Sequence, residues 1–544
     1  MAVILNFILM ILIIIGMFKR REKACLKSLV YYTILSNLIS AFASLLVLIF
    51  GLKNVVEVIR YLSVCMMVMT FFVTACILMP LSKGSRPFLY KGSGLLHHFI
   101  CPALSLGSYI FCENRVKMSW VWLPVAVTLA YGVTMVLLNK AGRVDGPYPF
   151  FQIRTYGVKK VVLWMALLMV ATSAFSAGTG YNKSMKTDIK FVFVHGLSGW
   201  GSYDRINDIM PYWGLTGGSI IRYLNNEGYE SYAASVNPST SAWDRACELY
   251  AQLTGTVVDY GKAHSERCNH PRFGEDFSGR ALLKDFGESR FVLLGHSFGG
   301  ATVRLFSEIL RNGDAGEREA TDEGNLSPFF AGGHGDKLFA VVTLSAPTNG
   351  TTAYDIHEDP NFDLSKISVP EEYEKYGNYV SKGTKAKEDG RIKEDYASFD
   401  MHIDNALELN SRITTFGDVY YFAVPCSSTV TDADGNVAPD ESITEKIFLR
   451  GGLQMSKYTG TTANGFVLDE SWQPNDGLVN TISAGAPFNA PSADYVKGGN
   501  LEKGIWYVFP VFRGDHMSLQ GGLTKRINVK PFYMDLVRMI SGLK

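Results

Sequence analysis

Arg290-Phe-Val-Leu-Leu-Gly-His-Ser-Phe-Gly299, followed by Gly300, passes from a run suited to a short buried strand into a tight, glycine-flanked turn. Phe298 to Arg311 then continues with the spacing of a helix. A G-x-S-x-G pattern in that setting puts a serine on a sharp, strained strand-to-helix turn. Glycine neighbours let the flanking backbone pack close while Ser297 Oγ stays exposed at the top of a sheet. Composition alone yields roughly 0.4 chance matches in a chain of this length, so the strand before and the helix after carry the inference. A serine nucleophile in turn needs a base, and the base needs an orienting acid.

Working outward, Ile189-Lys-Phe-Val-Phe-Val194 is a second short apolar run, closed by His195-Gly196. A helix is expected at about 217–227, ended by Gly228, then a strand near 230–235. Another helix follows near 241–257, with Ser241 as N-cap and Asp244 in its first turn. Leu338-Phe-Ala-Val-Val-Thr-Leu344 is a third buried-strand pattern. Strands alternating with helices predict a mostly parallel sheet covered on both faces. With the serine turn, this makes residues 190–544 an α/β-hydrolase. In that fold the acid and then the histidine follow the nucleophile along the chain. Of His334, His357, His402 and His516, the last lies on a loop after an expected strand at 505–511. Asp476, in Asn475-Asp-Gly-Leu-Val-Asn-Thr481, is the expected acid, although Asn-Asp-Gly is a turn sequence in its own right. Asp515 is the rival, but a carboxylate next to the histidine in sequence rarely reaches its ring. The oxyanion hole is expected from the backbone N–H groups of Phe298 and of Leu197 in His195-Gly-Leu-Ser-Gly-Trp200.

The 544 residues fall into two compositions. Six apolar blocks, at about 2–18, 28–51, 61–81, 95–112, 119–138 and 161–178, are long enough to cross a bilayer core; the first, at 17 residues, gives ~26 Å of helix. A short Gly/Ser/Lys segment, Ala177 to Lys186, follows. The expected organisation is an all-α six-helix membrane domain over 1–178, a linker over 179–189 and the hydrolase over 190–544. Lys and Arg number 13 in the loops after blocks one, three and five, and four (Lys53, Arg60, Arg115, Lys117) after blocks two and four. This 13:4 bias predicts that the N-terminus and the hydrolase both lie on the extracytoplasmic side. A net charge of +1 gives no electrostatic reason for a nucleic-acid partner, and eight cysteines without repeating spacing do not read as a disulfide framework.

Val194-His-Gly-Leu-Ser-Gly-Trp200, Trp243-Asp-Arg-Ala-Cys-Glu248, Val258-Asp-Tyr-Gly-Lys-Ala-His264, Arg272-Phe-Gly274, Gly295-His-Ser-Phe-Gly299, Ala346-Pro347 with Gly350-Thr-Thr352, and Asn475 to Thr481 resemble the thermophilic-bacillus and staphylococcal lipases. The resemblance spans 191–352 and, less densely, 399–540. It implies Ser297, Asp476 and His516 as the triad, and a structural zinc on Asp244, His264, His270 and Asp400, a closed tetrahedral set. Cys268, between the two histidines, is a spare soft ligand. The calcium site of those relatives is expected to be lost, because Ser518 and the region near Leu523 lack its carboxylates. The lid, 353–400, is shorter and more charged than theirs, with a solvated run at Lys382-Gly-Thr-Lys-Ala-Lys-Glu-Asp389. In the first part, Tyr31-Tyr-Thr-Ile-Leu-Ser-Asn37, Leu96-His-His-Phe-Ile-Cys-Pro102 and Gly146-Pro-Tyr-Pro-Phe150 resemble the Pr6Pr-like six-helix membrane proteins. These are similar to the androgen-induced membrane hydrolases, which implies a possible second site on Thr33 with His97 or His98.

The expected activity is therefore a membrane-tethered lipase-like or esterase-like hydrolase of lipid or acyl esters. Two alternatives stand beside it: a membrane sensor whose hydrolase domain is inactive, and a chain whose main chemistry lies at the intramembrane Thr/His pair.

Overall fold

Phe291 to Leu294 offers four consecutive apolar side chains, which a strand can bury only if both faces of its sheet are covered. The computed structural model describes residues 2–19, 31–52, 55–82, 91–113, 116, 120–145, 148–179, 186–359, 361–374 and 390–544, and it divides into two compact units, Met1–Ser184 and Met185–Lys544. Arg20, Arg21, Lys23, Lys27, Lys53, Lys83, Arg86, Arg115 and Lys117, with Cys25, Gly146-Pro147, linker residues 180–185 and the charged run 382–389, lie outside the described residues.

The first unit is helical: α1 (Ala2–Lys19), α2 (Tyr32–Phe50), α3 (Val55–Phe72, continued by π-helical turns over Val73–Leu78), α4 (Cys101–Cys112, preceded by π-helical turns over Leu96–Ile100), α5 (Trp122–Lys140) and α6 (Ile153–Thr179). Four described helical stretches are long and apolar enough to cross a membrane: Tyr32–Phe50, Val55–Leu78, Trp122–Lys140 and Ile153–Ala177; Ala2–Met17 is shorter. The sequence expectation counted Arg60 among loop cations, and the structure corrects this. Arg60 is fully buried within α3, and its Nε lies 3.0 Å from Glu113 Oε2. A buried guanidinium persists only when paired. Lys19 in α1, Lys140 in α5 and Arg154, Lys159 and Lys160 in α6 also lie within helices, so the 13:4 ratio is not a count of loop cations on either side.

The second unit is built on seven strands: β1 (Lys190–Val194), β2 (Ser231–Ala234), β3 (Phe291–His296), β4 (Leu338–Leu344), β5 (Tyr420–Val424), β6 (Ser492–Asp494) and β7 (Trp506–Val508). Their order is β6-β7-β5-β4-β3-β1-β2, and every neighbouring pair is parallel. Phe291 and Leu293 enter one core, with α7 (Ala242–Thr254) and α8 (Gly299–Asn312). Val292 and Leu294 enter the other, with α10 (Lys530–Ser541). A fourth helix, α9 (Ile403–Arg412), follows the lid region. Truncating a fully buried residue such as Leu293 to alanine is expected to cost about 2–5 kcal/mol. The sheet places the C-terminal ends of its strands on one edge, where side chains on the following loops can meet. Sequence reading missed β5 and β6. Tyr420-Tyr-Phe-Ala-Val424 carries a buried-strand pattern, whereas Ser492-Ala-Asp494 is an exposed edge strand with no periodic signal.

Candidate active site and metal cluster

Ser297 follows β3 directly and takes φ +55°, the strained left-handed region that a nucleophile turn imposes on a non-glycine residue. The turn closes only with glycine on either side. A Cβ on Gly295 would lie 2.3 Å from Gly299 O, and one on Gly299 would lie 2.3 Å from Val194 O. Ser297 Oγ is 2.8 Å from His516 Nε2, and His516 Nδ1 is 2.9 Å from Asp476 Oδ2. All three residues are buried. Asp476 Oδ1 accepts the N–H groups of Leu478 (3.0 Å) and Val479 (2.8 Å), which fixes the carboxylate plane. Ser345, immediately after β4, donates its hydroxyl to Asp476 Oδ2 and takes φ +48°. The rival carboxylate, Asp515, is directed elsewhere: it accepts from Met517 N, Ser518 Oγ and Glu445 N. Burial pushes its carboxyl up to about 6.

The loop after β1 is tied to the same centre. Gly196 N–H donates to Tyr212 Oη (2.9 Å), and Tyr212 Oη bonds His296 Nδ1 (2.8 Å). His296 Nε2 bonds the carbonyl of His516 (3.0 Å), and Gln520 Nε2 donates to His296 Nδ1 (2.7 Å). Burial, reinforced by the neighbouring His516, holds His296 well below the usual imidazole range, so it serves as a neutral link. Among the described residues, no hydrogen bond is made by the N–H of Leu197 or of Phe298. A cavity of about 110 Å³ opens over Ser297 and His516, walled by Leu197, Trp200, Tyr354, Met401, Phe448 and Leu478.

A second cluster lies at the N-terminal end of α7. His264 Nε2 is 3.1 Å from Asp244 Oδ1 and 3.2 Å from Asp395 Oδ1. His270 Nε2 is 3.6 Å from Asp244 Oδ1 and 3.5 Å from Asp395 Oδ2. His270 Nδ1 bonds the carbonyl of Pro271 (2.9 Å), which leaves Nε2 as a buried lone pair with no hydrogen-bond partner among the described residues. Bonds of 2.0–2.1 Å in a tetrahedral site imply ligand-to-ligand edges of about 3.3 Å, and these separations bracket that length. The donors therefore fit a small four-coordinate cation. Cys268 also belongs to the group able to hold an ion, with ligand atoms within 4.8 Å of one another across His264, Cys268, His270 and Asp395, and its Sγ is 3.8 Å from His264 Nδ1.

The family model described as "Lipase-like, C-terminal domain" matches residues 187–367 and 361–537. The chain belongs to this family. Within the lipase-like family, the lipase of Staphylococcus hyicus is 32% identical over 358 residues, 61% of this chain and 53% of that relative. The chain spans about half the length of the curated relatives it matches. Among solved structures, EstA from Clostridium botulinum is similar with a TM-score of 0.56 and 28% identity, covering 66% of this chain and 89% of EstA. The structure of Staphylococcus hyicus lipase gives 0.55 and 27%, covering 66% and 97%.

In this lipase-like chain Asp395, rather than the expected Asp400, lies beside His264 and His270 in the group that could hold an ion. Asp400 Oδ2 instead accepts the N–H of Ala242 (2.7 Å) and satisfies the N-terminus of α7. Burial pushes its carboxyl up to about 7, an environment that favours the neutral form. The two aspartates are five residues apart in Asp395-Tyr-Ala-Ser-Phe-Asp400, so sequence pattern alone did not separate them. Ser518 and Leu523 are held by side chains: Ser518 Oγ donates to Asp515 Oδ1 (2.9 Å), and Leu523 N donates to Glu445 Oε1 (2.8 Å). Glu445 also takes the N–H groups of Thr524 and Lys525, a role nothing in the sequence announced. In the helical unit, Thr33 Oγ1 is 3.5 Å from Tyr148 Oη, and His97 Nδ1 is 3.1 Å from Asn37 Oδ1. Asn37 Nδ2 in turn donates to Thr33 O (2.8 Å). His97 is buried and His98 half-buried.

Proposed function

We propose that this chain is a membrane-anchored serine hydrolase of carboxylic esters, lipid or acyl esters among them, with Ser297 as nucleophile. The supporting observation is the chain of contacts Ser297–His516–Asp476, set beside two backbone N–H groups that make no hydrogen bond among the described residues. Ser297 Oγ would attack the ester carbonyl carbon as His516 Nε2 takes the hydroxyl proton. The Leu197 and Phe298 N–H groups would bind the oxyanion. His516 would return the proton to the leaving alcohol, and water would then release the acid from the acyl-enzyme by the same steps. Asp476 would orient the imidazole and stabilise its charged form.

The cavity of about 110 Å³ is small, and the lid stretch is polar, so short- and medium-chain esters are the preferred substrates in this proposal. A zinc ion on Asp244, His264, His270 and Asp395 would brace the α7 end of the domain without an open position for substrate. The apolar helices would span the bilayer, and the excess of Lys and Arg at the ends that follow blocks one, three and five would place the hydrolase on the extracytoplasmic side. The test is hydrolysis of a p-nitrophenyl ester series, acetate to laurate, by the full chain in detergent beside Ser297→Ala. Loss of about 10⁵- to 10⁶-fold in kcat is expected for the variant. Activity retained by Ser297→Ala, or absent from the folded wild type, would overturn the proposal.

A further inference from the structure

Arg391 is a charged group at the metal cluster that neither the sequence pattern nor the proposed chemistry accounts for. Its Nη1 bonds Asp244 Oδ2 and Asp395 Oδ2 at once. The two histidine nitrogens meet Asp244 on its other oxygen, Oδ1; His264 meets Asp395 on Oδ1, while His270 stands 3.5 Å from Asp395 Oδ2, the oxygen Arg391 holds. We infer that Arg391 is an outer clamp of this metal site, holding one oxygen of each carboxylate so that each aspartate offers the ion a single oxygen. The inference rests on the cluster being a metal site.

The clamp is built in from several directions. Asn269, between the two histidines in sequence and at φ +56°, donates its Nδ2 to Gly390 O (2.8 Å), which ties the backbone before Arg391 to the histidine loop. Ser241 donates its hydroxyl to Asp395 Oδ1 (2.8 Å) and its backbone N–H to Asp395 O (3.1 Å). The Arg391 side chain is 15% exposed and both carboxylates are fully buried, so water competes poorly for these bonds. A cation such as calcium takes six to eight oxygens and uses carboxylates with both oxygens where it can. With the Oδ2 atoms occupied, two imidazoles and two single oxygens remain, a set for a small tetrahedral ion. Outer-shell partners of this kind change metal affinity by about 10- to 100-fold. Both bonds come from one nitrogen, Nη1, whose two N–H groups can serve one carboxylate each.

The experiment uses the full chain in detergent, stripped with a chelator, and reads two quantities independent of ester hydrolysis. Zinc affinity is measured by competition with a chromophoric chelator, and coordination by the visible spectrum of the cobalt(II)-loaded protein. Wild type is expected to give the intense bands of tetrahedral cobalt. Arg391→Met is expected to bind zinc about 10- to 100-fold more weakly, with cobalt bands weakened as the carboxylates become bidentate. Arg391→Lys, which keeps the charge and guards against a misfolded methionine variant, should recover the affinity only in part. Unchanged affinity and spectrum in Arg391→Met, tighter zinc binding in that variant, or full recovery by lysine would each overturn the clamp. Failure of the wild type to bind either ion would overturn the metal reading itself, and the clamp with it.

Discussion

Replacing Ser345 by alanine removes one hydrogen bond from the proposed triad, together with the contact of the same hydroxyl with Cys426. Ser345 is fully buried and lies outside the residues that wall the cavity, so substrate binding has no route to sense the change. Its hydroxyl donates to Asp476 Oδ2, the same oxygen that bonds His516 Nδ1. A hydrogen bond to a charged acceptor contributes about 1.5–3 kcal/mol. If the bond holds Asp476 in line with the imidazole as the imidazolium forms, that energy appears in the barrier, and about 1.4 kcal/mol is tenfold in rate. The expected loss is therefore about 10- to 150-fold in kcat with KM unchanged. Ser345→Gly separates the hydroxyl from the backbone: it should lose kcat equally, yet be more stable than the alanine variant by roughly 1 kcal/mol, because φ +48° strains any residue with a Cβ. Steady-state kinetics on p-nitrophenyl butyrate, with thermal unfolding of the same samples, measure both. A kcat within twofold of wild type, or a loss expressed wholly in KM, would refute the role assigned to this serine.

Asp395→Asn should abolish stoichiometric zinc retention while Asp400→Asn keeps it, checked by metal analysis after gel filtration; the reverse result would restore Asp400 as the ligand. Glu248 is a buried residue of α7, and burial raises its carboxyl from 4.5 to about 7 against the hydrogen bonds from Asn237 N and Tyr260 Oη. The folded state then holds the proton more tightly than the unfolded chain does. Its contribution is complete below pH 4.5 and is lost as pH climbs through 7, a total of about 3 kcal/mol. Glu248→Gln should flatten the fall in Tm between pH 5 and 8, and an unchanged slope would show that Glu248 does not govern it.

The strands and helices nearest the nucleophile were legible because their signals are local. Phe291 to Leu294 is apolar at every position because both faces of β3 are covered, and Gly295 and Gly299 mark the turn because any Cβ there would collide with backbone. His516 and Asp476 were found through chain order and a turn sequence, and the structure brings both to Ser297. The six apolar blocks were likewise visible as composition, yet Arg60 looked like a loop cation because nothing in a linear count reports a partner fifty-three residues away.

By itself, then, the sequence determined the alternation of strands and helices, the serine turn and the chemistry of the three residues expected to act together. These follow from short-range sterics and the period of buried side chains. Only the tertiary structure decided that Asp395 and not Asp400 faces His264 and His270, that Ser345 holds Asp476, and that Arg391 bridges two carboxylates. Each of those outcomes joins residues 4 to 158 positions apart, and which oxygen meets which donor is fixed by packing around a loop, where a one-residue shift of backbone changes the partner without changing the pattern.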